Sequence, residues 1–323
     1  MNIYLAANLF EPNKNLDVFL ISLINAAEEG KHRIFIRDES NENFINWKDS
    51  QSPNVQDTIN IVLMESMLKE NMGSAGLSIC IHDGSTDWSL IPPAVSRHEA
   101  KKWMDIPVTV CLEDNISDRD FLLAMATHEY RKTLKELWEN KLLEFIHCGG
   151  ISGIPNKCIF DWPEAMKKKI FAIFDHDGLH PDFPSAQSNK AENHCKNNNI
   201  SYHRLKRRSI ENYLPLPTLR DYATSHGNGH IYDSFDHIVK DEVYFFYNIP
   251  HGFIGDQNRI RQGESSHGLF DDLSPQDREN LSKGFGDAIK KRFSSPIEEQ
   301  SLLDDGGWQE LQPIILQLIA LAR

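Results

Sequence analysis

Long apolar runs are missing from this chain. None approaches the ~20 residues that a bilayer-spanning helix needs, so no such span is expected. Cysteine is scarce, at five in 323 residues (Cys80, Cys111, Cys148, Cys158, Cys195), and no two stand as CxxC. Cys80, Cys111 and Cys148 fall in apolar, strand-like runs. Buried free thiols in a reducing cytoplasm are therefore expected, rather than disulfides or zinc. Met1-Asn2-Ile3-Tyr4 has no positively charged stretch ahead of an apolar core, so no signal peptide is expected. There is no GxxxxGK[ST] string, no internal repeat and no low-complexity tract. Positive charge is in deficit, with 34 Lys+Arg against 47 Asp+Glu, for a net −13. That argues against a nonspecific nucleic-acid coat. The deficit is uneven: residues 1–106 carry 9 against 15, residues 107–220 carry 16 against 15, and residues 221–323 carry 9 against 17. The middle third is the only part near neutrality.

What is present reads as an ordinary globular chain, long enough for two or three domains. Residues 1–106 read as a small α/β unit. Helical apolar spacing covers residues 17–27 and 55–68, and strands are expected at 33–36 and 77–82. His82-Asp83-Gly84-Ser85 reads as turn chemistry, and Ile91-Pro92-Pro93 as a boundary. Residues 107–220 alternate more cleanly. Strands are expected at 108–112, 142–148, 170–174 and 200–205. Helices are expected at 118–140, 162–168 and 186–198. Such alternation implies right-handed crossovers and a parallel sheet. Residues 221–323 are less regular, with a strand or helix at 242–247 and an apolar helix at 313–322.

The most informative stretch is Ile170-Phe171-Ala172-Ile173-Phe174-Asp175-His176-Asp177-Gly178. Five apolar residues without polar alternation read as a strand buried on both faces. Ligands bind beyond the carboxyl ends of such strands. Asp175 and Asp177, two residues apart, can face the same way. Glu113 ends the first strand of the central unit. If both strands are parallel in one sheet, the three carboxylates gather at one edge, as in sites that hold Mg²⁺ or Mn²⁺.

These residues resemble the TOPRIM domain, which has a Glu after its first strand, a Gly-rich turn after its second and Asp-x-Asp after its third. Here those are Glu113, Gly149-Gly150 and Asp175-His176-Asp177. The closest likeness is to OLD-family nucleases. These carry a small acidic cluster after the Glu (here Asp118-Arg119-Asp120) and a basic segment running into Glu-Asn-Tyr-Leu (here Lys206-Arg207-Arg208-Ser209-Ile210-Glu211-Asn212-Tyr213-Leu214). Asn248-Ile249-Pro250-His251-Gly252-Phe253 is similar to a segment downstream in related stand-alone proteins.

The resemblance covers residues 107–215. Asp114 stands where the family has Gly, and Glu113 to Asp118 is one residue longer than usual. The acidic ligand therefore stays open among Asp114, Asp118 and Asp120. The likeness implies a central TOPRIM-like (Rossmann-like) α/β domain, flanked by the N-terminal α/β domain and a mainly helical C-terminal region. It implies a cytoplasmic, Mg²⁺- or Mn²⁺-dependent endonuclease acting on DNA or RNA in antiviral defence. Glu113, Asp175 and Asp177 would hold one ion, and Asp118 or Asp120, with Glu211, would help hold or orient a second. Lys206, Arg207 and Arg208 would bind phosphates. A separate ATPase or sensor partner and a homo-oligomer are within what it implies. The rival readings are a haloacid-dehalogenase-like phosphatase using Asp175 as nucleophile, although Leu179 stands where that family has Thr, and a non-catalytic regulatory protein.

Overall fold

Eight short strands pair in parallel to form two separate sheets in the computed structural model, which describes residues 1–11, 17–70, 77–114, 116–158, 161–239, 243–304 and 306–322. The N-terminal sheet holds β1 (Asn2–Leu5), β2 (Arg33–Ile36), β3 (Ser78–His82) and β4 (Ala94–Ser96) in the order β2-β1-β3-β4. The central sheet holds β5 (Val108–Leu112), β6 (Leu143–His147), β7 (Ile170–Phe174) and β8 (Ser201–Arg204) in the order β6-β5-β7-β8. The two share one connectivity, although no repeat is visible in the sequence. In each, the chain leaves the first strand to one side and returns to the other, which opens a crevice at the carboxyl ends between the first and third strands.

The unbroken apolar runs become the two inner strands of the central sheet: every residue of β5 and β7 is buried. Their side chains alternate between two cores. Val110, Leu112, Phe171 and Ile173 face a large core shared with the C-terminal region. Cys111, Ala172 and Phe174 face a smaller one, closed by the helices Ile154–Lys157 and Ala186–Asn197. The large core runs on through Phe235, Phe293 and Ile315, so residues after 220 pack directly onto the central sheet. Tyr130 stacks on Trp308, ring centroids 5.8 Å apart, joining helix His128–Glu139 to the last helix.

Several expectations shift. The helix at 118–140 is two helices, Ser117–Ala124 and His128–Glu139. Arg131 stabilises the break by donating to the carbonyls of Leu123, Ala124 and Ala126, at 2.8, 3.4 and 2.6 Å. Ile91-Pro92-Pro93 is not a boundary, because β4 follows at once and pairs with β3. Strands β1 and β4 and the helices Glu42–Asp49 and Arg97–Met104 have no counterpart in the sequence reading. The final helix is longer than expected, Gly307–Ala322, with Pro313 inside it. Residue 242 lies outside the described residues, and Val243–Phe246 is a 3-10 turn. No described helix is long and apolar enough to cross a membrane.

Candidate active site

The crevice between β5 and β7 is where five of the predicted acids meet. Glu113 follows β5, and its Oε1 accepts the Asp175 N–H at 2.8 Å, tying the two strand ends together. The Glu113 carbonyl accepts from Gly150 at 3.0 Å, so the Gly149-Gly150 turn folds over the same edge. Both glycines have positive φ (81° and 86°), a conformation that side-chain-bearing residues rarely adopt. The Asp175 carbonyl accepts the Ser188 hydroxyl at 3.0 Å, from helix Ala186–Asn197.

Asp118 lies in the first turn of helix Ser117–Ala124, where its Oδ2 accepts the Asp114 N–H at 2.9 Å. Asp114, Asp118 and Asp120 have different partners. Asp114 accepts from the N–H groups of Ile116 (2.9 Å) and Ser117 (3.5 Å), just ahead of the helix. Asp120 pairs with Arg119 at 2.8 Å. Asp118 is the one that interacts electrostatically with both Asp175 and Glu211.

Glu211 sits in the 3-10 turn Ile210–Tyr213, which opens with a reciprocal Ser209/Asn212 capping box. Each residue of Glu-Asn-Tyr-Leu has a distinct task. Asn212 donates to the carbonyls of Tyr244 (2.8 Å) and Tyr247 (3.0 Å). Tyr213 donates to Glu310 at 2.7 Å, and Leu214 is buried. Those anchors leave the Glu211 carboxylate facing the other acids.

The cluster repels itself. Burial, and then the negative charges of Glu113, Asp118, Glu211 and Asp177, push Asp175 well above the usual carboxylate range. Glu113 is pushed up to about 8, by burial first and then by Asp118 and Asp177. Asp118 is pushed up to about 7, by burial first and then by Asp114 and Glu211. The acids are gathered but not closed. Among the described residues, the only group with three metal-type ligand atoms within 4.8 Å of one another is made of thiols, not of these carboxylates.

Two expected phosphate-binding residues are corrected. Arg207 and Arg208 are each only 5% exposed. Arg207 donates to the Asn212 carbonyl at 2.8 Å and lies over the rings of Phe245 (3.9 Å) and Tyr213 (4.7 Å). Arg208 makes a two-pronged ion pair with buried Asp256. Only Lys206 of the three is exposed. Of His82-Asp83-Gly84-Ser85, His82 ends β3 and the chain bends at Asp83 and Gly84, with Asp83 paired to Arg97 at 3.1 Å. His176 is no ligand: its Nδ1 accepts from Gly178 (3.1 Å) and its Nε2 meets the Pro181 carbonyl at 3.0 Å.

Sequence reasoning missed two cations. Arg259, on helix Gly252–Arg261, donates to the Asp177 carboxylate at 3.0 Å and to the Asp177 carbonyl. Lys290 is close enough to attract Asp114. Neither carries a local signal, since Arg259 lies 82 residues from Asp177. No family model, curated protein or solved structure matches the chain.

Proposed function

We propose that this protein is a metal-dependent nuclease of the TOPRIM type, hydrolysing phosphodiester bonds of DNA or RNA. The observation that carries the reading is the gathering of Glu113, Asp118, Asp175, Asp177 and Glu211 at one sheet edge, with the carboxyls of Glu113, Asp118 and Asp175 held above their ordinary range. Such self-repulsion costs stability unless cations relieve it. An all-oxygen donor set fits a hard ion such as Mg²⁺ or Mn²⁺. Glu113, Asp175 and Asp177 would hold one ion, and Asp118 with Glu211 a second. Bound there, the ions would polarise the phosphate and lower the pKa of water.

The protein's own groups prepare that site. Glu113 and Asp118 lose their protons near neutrality, so deprotonation and ion binding are linked. The Asp175 N–H and the Gly150 N–H fix the Glu113 side chain and backbone. Arg259 and Lys290 supply positive charge beside the acids, while Lys206 stays exposed where Arg207 and Arg208 are buried. Arg259 belongs to the C-terminal region, which supports the idea that a partner acting on that region restrains the enzyme. A role in bacterial antiviral defence rests on the family resemblance alone.

The test is cleavage of plasmid, linear DNA, single strands and total tRNA with Mg²⁺ or Mn²⁺, comparing wild type with Asp175→Asn. The expected loss is roughly 10²–10³-fold, the scale seen when one electrostatic group is removed from a polar site. Equal cleavage by both proteins would overturn the reading. Hydrolysis of small phosphoesters through a covalent aspartyl-phosphate would favour the phosphatase.

A further inference from the structure

Four of the five cysteines converge behind the acidic cluster. Cys111, Cys148, Cys158 and Cys195 make up four of the eleven buried residues of the smaller core, whereas the two larger cores contain none. The Sγ atoms of Cys111, Cys148 and Cys158 all lie within 4.8 Å of one another. Their residues are 0%, 3% and 1% exposed, and Cys195 is 0% exposed. No disulfide joins them.

We propose that Cys111, Cys148 and Cys158 bind a structural zinc ion, with Cys195 as the fourth ligand. Zinc–thiolate bonds of ~2.3 Å in a tetrahedron set sulfurs about 3.8 Å apart, so Cys111, Cys148 and Cys158 need close by only about an ångström, while Cys195, outside that group, has further to move. An all-thiolate set selects zinc over the hard ions suited to the carboxylates. The ligands come from four different pieces of chain: the middle of β5, the residue after β6, the end of helix Ile154–Lys157, and helix Ala186–Asn197. A closed four-ligand site of this kind is structural rather than catalytic.

The ion ties together the supports of the acidic edge. Cys111 lies two residues before Glu113. Cys148 directly precedes Gly149-Gly150, and Gly150 donates to the Glu113 carbonyl. Cys195 stands seven residues, two helical turns, beyond Ser188, whose hydroxyl holds the Asp175 carbonyl. Binding would be coupled to folding, because a site this buried forms only as the core closes.

The experiment is elemental analysis of full-length wild-type protein, produced in zinc-supplemented medium and purified with a reductant and no chelator. About one zinc per chain is expected. That zinc persists in Asp175→Asn and disappears in Cys148→Ser and Cys158→Ser. Because the cysteine variants can fail to fold, wild type is also titrated with p-hydroxymercuribenzoate while a chromogenic chelator records released zinc. Release in step with thiol modification is expected. Protein without zinc, or zinc that leaves with Asp175→Asn but stays in Cys148→Ser, would overturn the proposal. Neither result counts against the nuclease reading, whose own test is the cleavage assay, so the two readings fail separately.

Discussion

Arg207 and Arg208 illustrate how a side chain's role depends on what surrounds it. In a run of three cations beside a polar turn, solvent exposure and phosphate contact are the natural reading. The folded chain instead lays an aromatic platform of Phe245 and Tyr213 under Arg207 and presents Asp256 to Arg208. A guanidinium suits both environments, since it stacks on rings and forks onto a carboxylate. Arg208→Ala is expected to cost about 3–5 kcal/mol, because it strands the buried Asp256 charge. Arg208→Lys should recover only part of that, lacking the fork. Urea unfolding of both variants checks this; midpoints equal to wild type would show that the pair contributes nothing.

The loop after β7 is specified by local and long-range contacts together. Asp177 adopts φ +52°, unusual outside glycine, and its N–H donates to the Arg208 carbonyl at 2.7 Å. Gly178 is needed for space: a Cβ there would lie 2.1 Å from the Phe183 carbonyl oxygen and 2.7 Å from the His176 ring. Gly178→Ala is expected to destabilise the fold by about 1–3 kcal/mol, the usual cost of overpacking. It should also shrink the rise in melting temperature produced by Mn²⁺, since the loop carries both aspartates. Calorimetry with and without Mn²⁺ would decide; an undiminished Mn²⁺ effect would dissociate the loop from metal binding. The interrupted helix at 125–127 makes the complementary point. The apolar spacing continues through the break, but Arg131 can satisfy the freed carbonyls only in three dimensions.

The acidic cluster couples stability to pH across the entire chain. Unfolded carboxyls titrate near ~4, whereas folded Glu113 and Asp118 hold their protons to about 8 and about 7. Between these limits the folded protein binds more protons than the unfolded chain, so stability falls as pH rises. Without divalent ions, the melting temperature should decline from pH 5 to 8 on account of these groups. Mg²⁺ or Mn²⁺ should raise it most at the alkaline end, by mass action on the deprotonated site. Glu113→Gln should flatten the decline. Differential scanning calorimetry across that range tests the set; a rising curve in wild type that Glu113→Gln leaves unchanged would refute it.

Local pattern was enough to place β5 and β7, the acids at their ends and the α/β class. A strand buried on both faces must be written as an unbroken apolar run, and the polar residue that ends it is visible beside it. The two strands without a counterpart in the sequence reading, β1 with four residues and β4 with three, are too brief to impose a period. Contacts between distant segments left no mark at all. Arg259 reaches Asp177 across 82 residues, and Arg208 reaches Asp256 across 48. The cysteines of the proposed zinc site lie 37, 10 and 37 residues apart, unlike any tandem metal motif. Proximity of that kind is a property of strand order and crossover, and neighbouring residues in the chain do not encode it.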